Sequence, residues 1–386
     1  MKIYHKFLLY QNKLLKPYVR ILLGLVEALT YLASLLLIVG VIYEHGFPLS
    51  VDEVAKIQVL YKAVWIIFLV DVTLHISLEY RSTKKQYRRL AWILSGLLYL
   101  TLIPVIFHRP EEEGAILQFW EFLDGKFYHL VLLLIFSFLN LSNGLVRLLG
   151  RRTNPSLILA VSFLAIILIG TGLLMLPRCT VNGITWVDSL FTATSAVCVT
   201  GLVTIDTADH FTAFGQAIMG LLIQIGGLGV SSVGVGLVIA AGKKVSFKSR
   251  TMAKEALNVD NYKGVVKLVK AVFCMTLGFE LAGALLSFLV FSRDYPFLHA
   301  VGISVFHSVA SFNNAGLDIL GGLQNLIPYG DDVFLNIVTS ALVIVGGIGF
   351  PVILDVARNR SFKKLTLHSK VVLVTSGGLL LSGTLL

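Results

Sequence analysis

Two short stretches of this 386-residue chain have the residue types and spacing for cation chemistry. They are Ser195-Ala-Val-Cys-Val-Thr-Gly-Leu-Val203 and Ser311-Phe-Asn-Asn-Ala-Gly-Leu-Asp318. At an offset of 115, Ser189, Phe191, Gly201 and Leu202 align with Ser304, Phe306, Gly316 and Leu317. A cation leaving water needs its hydration oxygens replaced, and backbone carbonyls in a narrow ring can do this. Glycine lets the backbone turn its carbonyls inward, in conformations that a Cβ would penalise. The candidates for such a ring are Cys198, Val199, Thr200 and Gly201 in the first loop and Asn313, Asn314, Ala315 and Gly316 in the second. The competing reading, glycines that only allow tight helix packing, does not account for the same loop occurring twice.

The elements that must position these loops are membrane helices. The chain is 56% hydrophobic and 14% charged, with a mean hydropathy of +0.83, against roughly 25% charged in soluble domains. Its apolar runs approach or exceed the roughly 20 residues that cross a bilayer as a helix. Spans are expected at about 18–43, 57–80, 90–107, 127–149, 155–177, 211–241, 264–291 and 333–356, with a last run at 371–386. The runs at 187–197 and 298–311 are too short. At 1.5 Å per residue they reach roughly 16–21 Å, against a hydrocarbon core of about 30 Å. They are expected to be re-entrant half-helices whose C-termini, each carrying roughly −0.5 charge, face the loops.

The net charge of +10 invites a nucleic-acid reading, but the placement of the charges argues against such a partner. With the N-terminus inside, Lys2 to Arg20, Arg81 to Arg89, Arg147 to Arg152, Lys243 to Lys254 and Arg358 to Lys370 share the cytoplasmic side. Glu44, Asp52, Glu53, Glu111 to Glu113, Glu121 and Asp124 fall opposite, outnumbering the basic residues Lys56, Arg109, Lys126, Arg178 and Arg293 on that side. Topology accounts for the charge. The three cysteines, Cys179, Cys198 and Cys274, fit no disulfide, zinc or redox pattern. No nucleophile or metal constellation suggests an enzyme.

The loops sit in a larger repeat. Leu168-Ile-Gly170-Thr171, Leu281-Ala-Gly283-Ala284 and Leu381-Ser-Gly383-Thr384 mark outer helices, and Ile225-Gly-Gly-Leu-Gly229 and Val345-Gly-Gly-Ile-Gly349 mark inner ones. The expected fold is all-α, built from tandem helix–pore-loop–helix units. A four-helix membrane extension covers 1–150, the first unit 151–250 and the second 251–360. The start of a third, at 361–386, is expected to be incomplete in this chain. Each unit holds two spans, so the copies are parallel, unlike the inverted repeats of many secondary transporters.

Glu27, Asp71, His75 and Glu280 lie within apolar runs and are functional candidates by default. Asp71 and His75 are one helical turn apart, which suits a hydrogen-bonded pair. Glu280 has two readings: a carboxylate satisfying donors between units, or the midplane site of a proton- or sodium-coupled transporter. Asp206, Asp209, Asp318, Asp331 and Asp332 either concentrate cations at the outer mouth or are ordinary solvated acids. Gly242-Lys243-Lys244 lacks the rest of a phosphate-binding loop.

Ala196-Val-Cys-Val-Thr-Gly-Leu202, Phe312-Asn-Asn-Ala-Gly-Leu317, Gln224-Ile-Gly-Gly-Leu-Gly229 and the basic stretch Lys243–Lys254 resemble the TrkH/KtrB/HKT superfamily of potassium transporters. The resemblance covers about 151–386, two of the family's four units. It implies a potassium uptake subunit of the cytoplasmic membrane, with K+ as the transported ion and no organic cofactor or other metal. It also implies a homodimer served by a cytoplasmic NAD- or ATP-binding regulatory ring. The basic loops at 243–254 and 358–370 are candidate docking surfaces for that ring. A glycine at the place of Gly201 goes with potassium selectivity in that family, and a serine with sodium permeation. The alternative is a non-conducting fragment or assembly partner of such a system.

Overall fold

A computed structural model of the chain describes residues 2–78, 89–107, 115–148, 155–229, 232–233, 236 and 265–385. The basic stretch 243–254, most of the 81–89 cluster, Glu111 to Glu113, and Arg151 and Arg152 lie outside the described residues. The chain forms two compact units, one comprising Met1–Arg151 with Leu237–Lys244, the other Arg152–Gly236 with Val245–Leu386. Among the described residues every extended element is helical, apart from a single bridge between Thr180 and Phe211.

In the first unit, α1 (Lys2–Gly46) packs on α2 (Val51–Leu78) and α6 (Lys126–Leu148). Leu37, Phe68 and Leu133 are buried between them. A glycine ends α1, with Pro48 two residues beyond, as helix C-termini often do. Ser50 then opens α2 with a reciprocal cap: its N–H and hydroxyl donate to Glu53, whose N–H returns to Ser50 Oγ. The run expected to span at 90–107 is broken into α3 (Arg89–Leu100) and a turn, α4 (Ile103–Ile106). Pro104, in the first turn of α4, explains the break, since proline starts helices but does not continue them. A further helix, α5 (Ala115–Asp124), occupies what read as a loop. Asp71 and His75 form a close pair, Nδ1 to Oδ1 3.2 Å.

The second unit holds α7 (Pro155–Leu174), α8 (Trp186–Val197), the short α9 (Thr207–His210) and α10 (Ala213–Leu228). They are followed by α11 (Val265–Phe291), α12 (Phe297–Phe312), α13 (Val333–Ile348), α14 (Phe350–Asn359) and α15 (Leu367–Leu385). The helices α7, α8 and α10 pack on one another, as do α11, α12 and α13, and α10 also packs on α12. The half-length helices α8 and α12 are the most enclosed, with Ala193, Ala196, Ala300 and Ser308 fully buried. On α11, Leu277, Leu281, Leu285 and Leu289 recur every fourth residue and are all exposed, a stripe suited to lipid.

Ile21–Gly46, Val51–Ser77 and Val266–Phe291 are long and apolar enough to cross a membrane. Other apolar helices are shorter, including Ala160–Leu174 and Ala213–Leu228. The run expected at 333–356 is not one straight span: α13 stops at Gly349, and α14 leaves at 97°. Gly349 has φ +94, a conformation open to glycine alone at little cost, and Pro351 follows in the first turn of α14. The chain is a multi-pass, all-α membrane protein.

Candidate ion-coordinating site

The half-helix α8 begins with a cap. Thr185 accepts from the N–H of Asp188 at 3.1 Å, and its hydroxyl donates to the Asp188 carboxylate at 2.6 Å. Its far end closes as a Schellman turn. Val199 N–H donates to Ala196 O at 3.3 Å and Thr200 N–H to Ser195 O at 2.8 Å. The second half-helix, α12, ends alike: Asn314 N–H donates to Ser311 O at 3.1 Å and Ala315 N–H to Ala310 O at 2.7 Å. These pairs match at the offset of 115. The left-handed residue that the turn requires is usually glycine. Here it is Val199, φ +55, and Asn314, φ +58. A β-branched residue in that region is strained.

Two residues further on, the left-handed conformation returns at Gly201, φ +78, and Gly316, φ +68, while Thr200 and Ala315 between them stay right-handed or extended. Alternating handedness sends the N–H groups to one side of the chain and the carbonyls to the other. Both loops turn the N–H side toward their own half-helix, through the turns above and through Leu202 N–H on Ser195 Oγ at 3.0 Å. Among the described residues no hydrogen bond reaches the carbonyls of Val199, Thr200, Gly201, Asn314 or Ala315. Gly316 O accepts from Asn325 Nδ2 at 3.3 Å. The two loops also meet: a Cβ on Gly201 would lie 2.6 Å from Ala315 O and 3.2 Å from Gly316 Cα.

The inner helices press on the loops from behind. Gly226 of α10 lies against the Val197 carbonyl, and Gly346 of α13 lies against the Phe312 carbonyl, so closely that neither leaves room for a Cβ. Asn314, with its amide assigned by its surroundings, donates to Val343 O at 3.2 Å and accepts from Gly347 N–H at 3.3 Å. Asn313 points the other way, donating to Glu280 Oε1 at 3.1 Å, Gln224 Oε1 at 3.3 Å and Val309 O at 2.9 Å. Cys198, the C-cap of α8, is exposed.

At the outer end the acids are tied into turns. Asp206 caps α9 through the N–H groups of Ala208 and Asp209, and its other oxygen accepts from Leu323 N–H at 2.6 Å. Asp209 accepts from Gly322 N–H at 3.4 Å. Asp332 caps α13 and lies 3.5 Å from Arg293. Asp318 accepts from Leu320 N–H at 2.9 Å. Burial holds its carboxyl above the usual range, against that hydrogen bond, and the charge of Asp206 adds to the rise. Sequence reasoning missed His307, buried in α12 with Nε2 3.0 Å from Thr339 Oγ1. Its only signal was a histidine in an apolar run. Among the described residues no group of three or more His, Cys, Asp or Glu side chains gathers that could hold a metal ion.

Residues 136–373 match the family model TrkH, described as a cation transport protein. The chain is 43% identical over 222 residues to the Ktr system potassium uptake protein B of Bacillus subtilis, covering 58% of this chain and 49% of that one. It is 41% identical over 238 residues to the potassium/sodium uptake protein NtpJ of Enterococcus hirae, covering 61% and 52%. A Ktr system potassium uptake protein B from Vibrio alginolyticus is 35% identical over 231 residues, covering 59% and 50%. The chain spans about half the length of the curated relatives it matches. The family match extends over more than half of the chain and contains both loops, their half-helices and the glycine-rich inner helices: the chain belongs to the TrkH family of cation transport proteins.

Proposed function

We propose that this chain supplies the ion-conducting part of a potassium uptake system in the bacterial cytoplasmic membrane. The observation that carries the reading is the pair of abutting loops: the N–H groups of Val199, Thr200, Leu202, Asn314 and Ala315 are tied back, and among the described residues no hydrogen bond reaches the carbonyls of Val199, Thr200, Gly201, Asn314 or Ala315. Carbonyls so placed replace the hydration shell of a cation. The names of the relatives, potassium uptake and potassium/sodium uptake, support K+ as the ion. Inward flow is driven by the membrane potential, worth about 2.3 kcal/mol per charge per 100 mV. The filter residues are Cys198, Val199, Thr200 and Gly201 with Asn313, Asn314, Ala315 and Gly316.

In this reading the N-terminus lies in the cytoplasm, supported by the basic clusters at one set of helix ends. The working assembly is a homodimer with a cytoplasmic NAD- or ATP-binding regulatory subunit, in keeping with relatives named as parts of a Ktr system. The test is growth and potassium uptake in cells lacking their own uptake systems, with the full reading frame and its Gly201→Ser variant. Rescue at low potassium, with sodium leak on Gly201→Ser, is the expected result. Rescue that Gly201→Ser leaves unchanged in rate and selectivity overturns the filter assignment.

A further inference from the structure

The second filter loop is braced by a polar cluster that, among the described residues, has no counterpart at the first. Asn313 Nδ2 donates to Glu280 Oε1 at 3.1 Å, and Gln224 Nε2 donates to Glu280 Oε2 at 3.2 Å. Asn313 Nδ2 also reaches Gln224 Oε1 at 3.3 Å. Three elements therefore converge on one point: the inner helix α10, the outer helix α11 and the filter loop after α12. The main chain at Glu280 is held as well, its carbonyl accepting from Ser308 Oγ at 2.7 Å. Glu280 is 7% exposed, and Ser308 is fully buried.

Both oxygens of the carboxyl accept from neutral amides, contacts that favour its charged form. Among the described residues no cationic side chain stands within ion-pair distance of it. A buried carboxylate without a counter-charge is costly, more so inside a membrane. Among the described residues no hydrogen bond reaches the carbonyls of Asn314 and Ala315 in the loop it braces. A cation held there supplies the missing charge, and the carboxylate in turn deepens the potential that holds the cation. When Gly170 is aligned with Gly283, the first unit has Ile167 where the second has Glu280. Cys198 stands in place of Asn313, and Ile344 in place of Gln224 on the other inner helix.

We infer that Glu280 is a positioning residue for the second filter segment: acting through Asn313 and Gln224, its carboxylate sets the affinity of that segment for a monovalent cation. The inference rests on the filter reading above, and the test separates the two. Rubidium uptake would be measured against rubidium concentration in the complete transporter, with membrane levels of each variant determined in parallel. Glu280→Gln should raise the half-saturating concentration by about tenfold, the scale of one screened unit charge near the ion, with a smaller change in maximal rate. Gln224→Glu combined with Glu280→Gln returns a carboxylate to Asn313 from the opposite helix, and should recover most of the affinity. If Glu280→Gln alone fails to accumulate, the paired variant decides: recovery of level and affinity supports the assignment. An unchanged half-saturation for Glu280→Gln, or a paired variant that restores nothing, overturns it. In those cases a selectivity change on Gly201→Ser still upholds the filter, whereas the absence of that change defeats the filter reading itself.

Discussion

Gly201 and Ala315 face each other across the two loops: a Cβ on Gly201 would sit 2.6 Å from the Ala315 carbonyl oxygen. The backbone of Gly201 is also left-handed, at φ +78. Gly201→Ala therefore has two costs, a collision with the Ala315 carbonyl oxygen and a strained backbone. The expected outcome is a loss of rubidium affinity of at least about tenfold, roughly 1.4 kcal/mol, read from concentration-dependent uptake at matched membrane levels.

The inner-helix glycines predict a stability contrast. Gly226→Ala and Gly346→Ala each drive a methyl group into a half-helix carbonyl and should destabilise the protein by about 1–3 kcal/mol. Gly172→Ala meets nothing within 4 Å and should be neutral or stabilising by up to about 1 kcal/mol, since alanine is the better helix former. Thermal unfolding of the three purified variants in one detergent is the comparison. Equal midpoints for Gly172→Ala and Gly226→Ala would contradict it.

Asp206 holds two loops at once, capping α9 and binding Leu323 N–H. Asp206→Ala should cost about 1 kcal/mol for the cap. It should also speed amide hydrogen exchange at both ends, in the segments containing Ala208 and Leu323, measured by mass spectrometry. Faster exchange at Ala208 alone would mean that the link between the loops contributes nothing.

Asp318 carries a pH signature. Its carboxyl is held above the usual range by burial and by the neighbouring Asp206 charge. The folded protein therefore holds this proton at pH values where the unfolded chain has released it. Linkage then makes the Asp318 contribution to stability fall as pH rises from about 3.9 through the raised value, and level off beyond it. Asp318→Asn should abolish this slope. The check is the difference in unfolding midpoint between the two proteins over pH steps from about 3.9 upward.

The half-helices were legible because length decides them: runs at 187–197 and 298–311 cannot cross a bilayer, and the helices found are Trp186–Val197 and Phe297–Phe312. The loops were legible as a repeated pattern, but their backbone was not. Asn314 is of a residue type that visits the left-handed region, but nothing in the letter Val199 announces it, because there the conformation is imposed by the Schellman turn that closes the helix. The bracing of Asn313 was equally hidden. Its partners Gln224 and Glu280 are 89 and 33 positions away, and only folding brings them together. The bend at Gly349 was missed because hydropathy runs unbroken through it, and the backbone of a single glycine sets the 97° turn.

The meeting of the two loops also has a consequence for how the protein is made. Gly316 follows Gly201 by 115 positions. At about 5–20 residues per second, a ribosome delivers it about 6–23 s later. Throughout that interval the nascent chain holds one loop whose carbonyls face no partner, already shaped by its own half-helix. Biosynthesis therefore includes a stage at which the first loop has been made and the Ala315–Gly316 backbone that packs against it has not.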